Sequence, residues 1–257
     1  MSVLELKELT IVFGGLVAVN ELSLKIKSKQ IYSIIGPNGS GKTTVFNMIS
    51  GLYKPTSGEV LFEGRRIDGK RPDAINREKI ARTFQNIRLF KDLTVLENVL
   101  IGNHSNISTT FWDDFFHTGR KRKEEARILH KSTELLEMFG LIDFRDDISS
   151  SLPYGEQRKL EIVRALASDP TLILLDEPAA GMNPNETHNL TDLIYKIRNE
   201  LGVTVLLVEH DMNVVMGISD QVAVINHGAK IAEGLPKEVQ ADSNVIEAYL
   251  GVGEDGK

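Results

Sequence analysis

The hydrophobic positions of this 257-residue chain change period along its length. Near the N-terminus they fall in short alternating or β-rich stretches at 3–7, 10–13, 21–27 and 58–63, separated by Gly, Asn and Lys-Pro turns. That pattern predicts an antiparallel sheet. Gln30–Ile35 reads as a short buried strand. Leu172–Leu175 and Val203–Val208 are apolar apart from one threonine, as expected for central strands covered on both faces. Helical spacing appears at 44–52, where Val45, Phe46, Met48, Ile49 and Leu52 are the apolar positions, and again at 186–200 and 212–219. Val222–Asn226, His227-Gly228 and Lys230–Ala232 predict a hairpin. A last helix over about 243–250 ends at Gly251, and 253–257 forms a loose tail.

The stretch from about 87 to 168 differs. It shows no clear strand, and its helical candidates lie at 96–102, 122–139 and 155–168. It is expected to be a helical insertion in an α/β core. No repeat appears, so residues 1–257 are read as one domain.

Composition narrows the picture. Hydrophobic residues make up 41% and charged residues 26%, an ordinary globular balance with material for a sizeable core. The net charge of −6 argues against nucleic acid as the main partner, because such binders carry a basic excess. There are no cysteines, which removes disulfides and thiolate metal sites, and the six histidines show no paired ligand spacing. No apolar run approaches the roughly 18 residues of a membrane span. Met1–Lys7 contains acidic residues and no long apolar stretch, so it does not resemble a secretion signal. The expectation from these features is a cytoplasmic chain.

The chemistry begins at Gly36-Pro37-Asn38-Gly39-Ser40-Gly41-Lys42-Thr43-Thr44, which fits the phosphate-loop pattern G-x-x-x-x-G-K-[ST] without mismatch. Strand, glycine turn and helix start present consecutive backbone N–H groups to a polyphosphate. Lys42 is suited to the β- and γ-phosphates, and the Thr43 hydroxyl to Mg²⁺. Downstream, Leu172–Leu175 runs into Asp176 and Glu177, delivering two carboxylates at the C-terminal end of a strand, where ligands bind in open α/β sheets. Asp176 is suited to Mg²⁺ and its waters. Glu177 is suited to polarise an attacking water, a role worth about 10²–10⁴ in rate. A neighbouring apolar strand ends in Glu209-His210-Asp211, which places His210 on the same edge for contact with the γ-phosphate or the lytic water. Gln85 lies where the core gives way to the insertion, and its neutral amide suits both Mg²⁺ and water. Leu152-Pro153-Tyr154-Gly155-Glu156-Gln157 precedes a helix with Leu160, Ile162, Val163 and Leu166 apolar.

Taken in order and spacing, these motifs resemble the ATP-binding-cassette family over nearly the whole chain. In the family's terms Gly36–Thr44 is similar to Walker A, Gln85 to the Q-loop and Leu152–Gln157 to the signature segment. Leu172–Glu177 is similar to Walker B with its catalytic glutamate, Ala180–Asn183 to the D-loop and His210 to the switch histidine. Phe13 is similar in position to the aromatic that stacks on adenine. The resemblance implies a P-loop NTPase (RecA-like) α/β core with an antiparallel β subdomain and an inserted helical subdomain. It implies ATP and Mg²⁺ as ligands, with Pro153, Tyr154, Gly155, Glu156 and Asn183 among the nucleotide-contacting positions.

Phe13–Asn20, Arg82–Gln85, Glu177–Pro184, Glu209–Met212 and Ala248–Gly251 further resemble the ATPase subunits of branched-chain amino-acid importers, in particular the longer LivG-type subunit. Urea and amide importers and the lipopolysaccharide-export ATPase use similar modules. The resemblance implies a peripheral subunit on the cytoplasmic face of the inner membrane. Its partners would be hydrophobic permease subunits, a second ATPase subunit arranged head to tail and, indirectly, a solute-binding protein. Two departures stand out. The family signature is Leu-Ser-Gly-Gly-Gln, whereas Pro153 here offers neither hydroxyl nor N–H and Tyr154 replaces the first glycine. The D-loop carries Asn183 where aspartate is usual. Within the insertion, Phe111, Trp112, Phe115 and Phe116 fall on one helical face before a charge run at Arg120–Lys123. That face reads as an aromatic clasp on the insertion or as a contact to the membrane subunit.

Overall fold

The computed structural model describes residues 2–103 and 119–250. The aromatic cluster at 111–116 and the tail at 253–257 lie outside the described residues. Two sheets form the frame. β1 (Ser2–Phe13), β2 (Leu16–Lys27), β4 (Ser57–Phe62) and the short β5 (Arg65–Arg66) make an antiparallel sheet in the order β2-β1-β4-β5. The stretches 3–7 and 10–13 are parts of one strand. Glu8 takes φ +47° and the register slips between Leu6 and Leu9, so an irregularity falls where the pattern suggested a break.

The second sheet carries the site. β3 (Ile31–Ile35), β6 (Ile80–Arg82), β7 (Leu172–Asp176), β8 (Thr204–Val208), β9 (Gln221–Asn226) and β10 (Ala229–Gly234) lie in the order β10-β9-β3-β8-β7-β6. Its strands are parallel except β10, which returns antiparallel along β9. Every residue of β3, β7 and β8 is buried, which explains their largely apolar sequences.

Successive side chains serve opposite layers. Tyr32, Ile34, Leu172, Leu174, Leu206 and Val208 pack with α1 (Lys42–Ile49) and the inner face of the antiparallel sheet. Ile31, Ile173, Leu175, Val205 and Leu207 pack instead with α3 (Val95–Gly102), α5 (Tyr154–Ala167) and α6 (Pro184–Asn199). Each such fully buried aliphatic contributes about 1.5–3 kcal/mol. α2 (Pro72–Arg77) precedes β6, and α4 (Gly119–Met138) packs on α3 and α5. α7 (Met212–Ile218), α8 (Pro236–Ala241) and α9 (Ser243–Leu250) close the C-terminal end over Val222 and Val224. Between β6 and β7 the described residues are helical or looped, with one isolated bridge, Thr94 to Ile148.

Candidate functional site

Parallel pairing brings three chain segments to one sheet edge. Ile34 and Asp176 both pair with Val208, so the loops leaving β3, β7 and β8 emerge side by side. The loop after β3 turns at Gly36 (φ +152°), Gly39 and Gly41 (φ +105°) into α1. A Cβ on Gly36 would stand 2.0 Å from Ile225 O, and one on Gly41 2.6 Å from Ala18 O, so both positions need glycine for space as well as φ. Lys42 is buried, and its Nζ donates to Gly36 O at 2.8 Å and Pro37 O at 2.9 Å. Burial lowers the Lys42 pKa, opposed by the nearby Glu177 and Asp176 carboxylates. The Ser40 hydroxyl is buried without a hydrogen-bond partner, while Thr43 is exposed at the head of α1.

A cleft of about 630 Å³ runs along this edge. Phe13, Ala18, Asn38, Gly39, Gly41, Lys42, Thr43, Thr44 and Glu177 line it, so the structure gathers the expected aromatic, much of the phosphate loop and the expected base on one surface. Phe13 is exposed at the tip of the β1–β2 hairpin and meets Tyr53 edge to face, with centroids 5.3 Å apart. Tyr53 was not singled out from sequence, nor were His227 and Gly228, which close the far side of the cleft. Gly228 N donates to Ser40 O at 3.0 Å, so the β9–β10 turn braces the phosphate loop.

Glu177 sits beyond the end of β7 in the left-handed region (φ +47°) with its side chain 15% exposed. Gln85 Nε2 donates to Glu177 Oε2 at 2.8 Å, and His210 Nδ1 lies 3.7 Å from the same oxygen. The predicted base, amide and histidine therefore converge. Glu209, which sequence reasoning passed over, holds them in register. It is fully buried, accepts from Ala179 N at 2.8 Å and His210 N at 3.1 Å, and burial raises its pKa.

Asp176 is engaged in a way its motif did not announce. Arg82 Nη2 donates to Asp176 Oδ2 at 2.8 Å, while its Nη1 reaches Asn47 Oδ1 and Ser50 Oγ on α1. The guanidinium also stacks against Phe46 and Phe84. Burial raises the Asp176 pKa against the pull of Arg82. Thr43, Gln85 and Asp176 offer hydroxyl, amide and carboxylate oxygens, the donor set of a hard divalent cation that keeps several waters. Among the described residues no group of three or more His, Cys, Asp or Glu could hold a metal.

The signature-like turn stands elsewhere. Pro153 caps α5, and Gly155 and Glu156 line a separate small cleft with Met182 and Glu186. Within one chain the turn does not border the cleft of Lys42 and Glu177. Asn183 uses its Oδ1 to cap α6, accepting from Asn185 N and Glu186 N at 3.0 Å each. That gives the departure from aspartate a local role. Behind the turn, the fully buried Arg158 pairs with Glu161 at 3.0 Å and donates to Phe84 O at 2.7 Å and Gln85 O at 2.6 Å.

Comparison with known proteins matches this geometry. Residues 19–180 fit the family described as ABC transporter, and residues 229–255 the branched-chain amino acid ATP-binding cassette transporter family. The chain is 47% identical over 249 residues to the high-affinity branched-chain amino acid transport ATP-binding protein BraF of Pseudomonas aeruginosa, covering 97% of this chain and 98% of that protein. It is 44% identical over 239 residues to the corresponding protein LivG of Escherichia coli, covering 93% and 94%. Among solved structures it superposes with the ADP conformation of an ATP-binding cassette of an ABC transporter at TM-score 0.86 and 34% identity, over 98% of this chain and 100% of that one. A dimeric, post-hydrolysis cassette bound to ADP and Pi gives TM-score 0.74 at 29% identity, over 91% and 98%.

Proposed function

Since the chain belongs to the ATP-binding-cassette family of transporter ATPases, we propose that it powers the import of branched-chain amino acids across a membrane. One observation carries the ATPase half: Lys42, Gln85, Glu177 and His210 meet at one sheet edge, with Gln85 and His210 both against Glu177 Oε2. Near-complete coverage of the branched-chain subunits supports the solute class.

In this reading Lys42 leaves the Gly36 and Pro37 carbonyls and turns its ammonium to the γ-phosphate, while the loop N–H groups hold the other phosphate oxygens. Phe13 stacks on the base. Glu177 takes a proton from the attacking water, with Gln85 orienting its carboxylate and His210 positioned at the reacting phosphate. Thr43, Asp176 and Gln85 would hold Mg²⁺, which when bound neutralises charge on the β- and γ-oxygens. The turn Pro153–Glu156 lies outside the chain's own cleft, which supports head-to-tail pairing with a second cassette whose nucleotide it would cover.

Among the described residues no helix is long and apolar enough to cross a membrane, in keeping with a peripheral subunit docked on hydrophobic permeases at the cytoplasmic face. A solute-binding protein acts through those permeases. Glu177→Gln is the test of the chemistry. Turnover should fall by about 10²–10⁴ while ATP traps a dimer detectable by light scattering. Wild-type turnover in that variant would remove Glu177 as the base. For the solute, proteoliposomes carrying the chain with its permeases should take up labelled leucine on ATP addition, and uptake of urea alone would refute the assignment.

A further inference from the structure

Tyr154 is one of the two residues at which the signature turn departs from its family, and although the residue is 44% exposed its hydroxyl is tied within its own subunit. The hydroxyl donates to Ala180 O at 2.9 Å, and the ring lies where a Cβ on Gly181 would approach it to 3.5 Å. Arg158, one helical turn along α5, brings Nη2 to 3.5 Å from the same hydroxyl. The rest of that guanidinium is aimed at the loop after β6, with Nη1 on Phe84 O and Nη2 on Gln85 O. Glu161 completes the grip, pairing with Arg158 and accepting from Arg88 N at 3.0 Å.

These contacts close a ring. Gln85 Nε2 donates to Glu177 Oε2, and Ala180 N donates to Glu177 O at 3.2 Å, which leads back to the carbonyl that Tyr154 holds. Glu177, Ala180, Tyr154, Arg158 and Gln85 thus form one circuit joining the base of this chain's site to a turn that lines a separate cleft. Charge-assisted bonds to two consecutive carbonyls do not allow Gln85 to shift relative to α5 without breaking. The tyrosine hydroxyl similarly ties α5 to the loop after β7.

We propose that Tyr154 and Arg158 are positioning residues that make the turn at Pro153–Gly155 follow the state of this chain's own Gln85 and Glu177, so that the surface offered to a partner's nucleotide reports on the site behind it. The proposal rests on the head-to-tail pairing above. The tyrosine takes over, by an internal bond, a position where the family's glycine offers no side chain.

The test uses the full chain with Tyr154→Phe, which keeps the ring and removes only the hydroxyl. Loss of one such bond should lower kcat about fivefold, with KM for ATP and the melting temperature unchanged. Gln85→Ala alone should lower kcat as well, and the double variant should be no slower than Gln85→Ala, because both cuts open one circuit. A purely structural role would lower the melting temperature and leave kcat per folded molecule intact. Unchanged kcat in Tyr154→Phe, or additive losses in the double variant, would overturn the coupling. Light scattering of Glu177→Gln with ATP separates the two layers: no dimer would sink the pairing and the coupling with it. A dimer together with additive losses would sink the coupling alone.

Discussion

Arg158→Met is the perturbation whose cost the structure defines most closely. Methionine occupies similar volume but removes a guanidinium that is wholly buried, and it leaves Glu161, 1% exposed, with Arg88 N as its remaining named donor. The Phe84 and Gln85 carbonyls lose donors at 2.7 and 2.6 Å. Breaking a buried pair by removing one partner costs about 3–5 kcal/mol. Domains of this kind have only about 5–15 kcal/mol in hand, so the urea midpoint should drop by roughly a fifth or more with an unchanged m-value. Arg158→Met with Glu161→Met removes the stranded carboxylate and should recover part of the loss. Recovery stays incomplete because the two carbonyls and Arg88 N remain unpaired.

The pH dependence has a definite sign. Burial raises the Glu161 pKa above its ordinary value of 4.5, and Arg158 opposes that rise. Without Arg158 the folded pKa climbs further. The folded state then binds more protons than the unfolded one between 4.5 and the raised value, and stability falls as pH rises through that window. The deficit of the single variant should therefore be larger at pH 8 than near pH 5, and should vanish from the pH profile of the double variant. Equal midpoints for Arg158→Met and the parent chain, or a pH-independent deficit, would refute the account of this pair as a buried, mutually dependent unit.

Two further outcomes follow from glycine sites. Gly36→Ala should abolish binding of a fluorescent ATP analogue, because its methyl would meet Ile225 O at 2.0 Å and force the phosphate loop off its strand; retained affinity would show that the loop tolerates displacement. Gly102→Ala, at the end of α3, would push a methyl to 2.2 Å from Arg164 O and 3.0 Å from Ala167 Cβ. It should cost about 1–3 kcal/mol in urea unfolding by prising α3 from α5, and an unchanged midpoint would contradict that packing.

Local patterns in the sequence pointed to the elements of the core and to the residues at its catalytic edge. Short, largely apolar runs marked β3, β7 and β8, and the glycine spacing marked the turn that places Lys42. β6 went unassigned because three residues carry no periodicity. α2 and α8 escaped although Pro72 and Pro236 stand at their first turns, a helix-start signal that could have found both. The residues that set the site's posture were the least visible. Arg158 and Glu161 read as ordinary polar positions on an amphipathic helix. Besides each other, they hold groups on the loop after β6 more than seventy positions away, and only the folded chain shows them buried. Arg82 and Glu209 were hidden for the same reason: each pairs with groups that no spacing rule connects to it.

The strand order has a bearing on how the chain is made. β3 lies between β8 and β9, and its phosphate loop is braced by the turn after β9. A ribosome releases β3 early, but its first sheet neighbour follows only about 170 residues later, roughly ten to thirty seconds at ordinary elongation rates. Through that interval a strand with four of its five residues hydrophobic waits with both edges unpaired, a natural client for a nascent-chain chaperone. The nucleotide grip, encoded near the start of the message, therefore gains its brace at Gly228 only once most of the chain has been made.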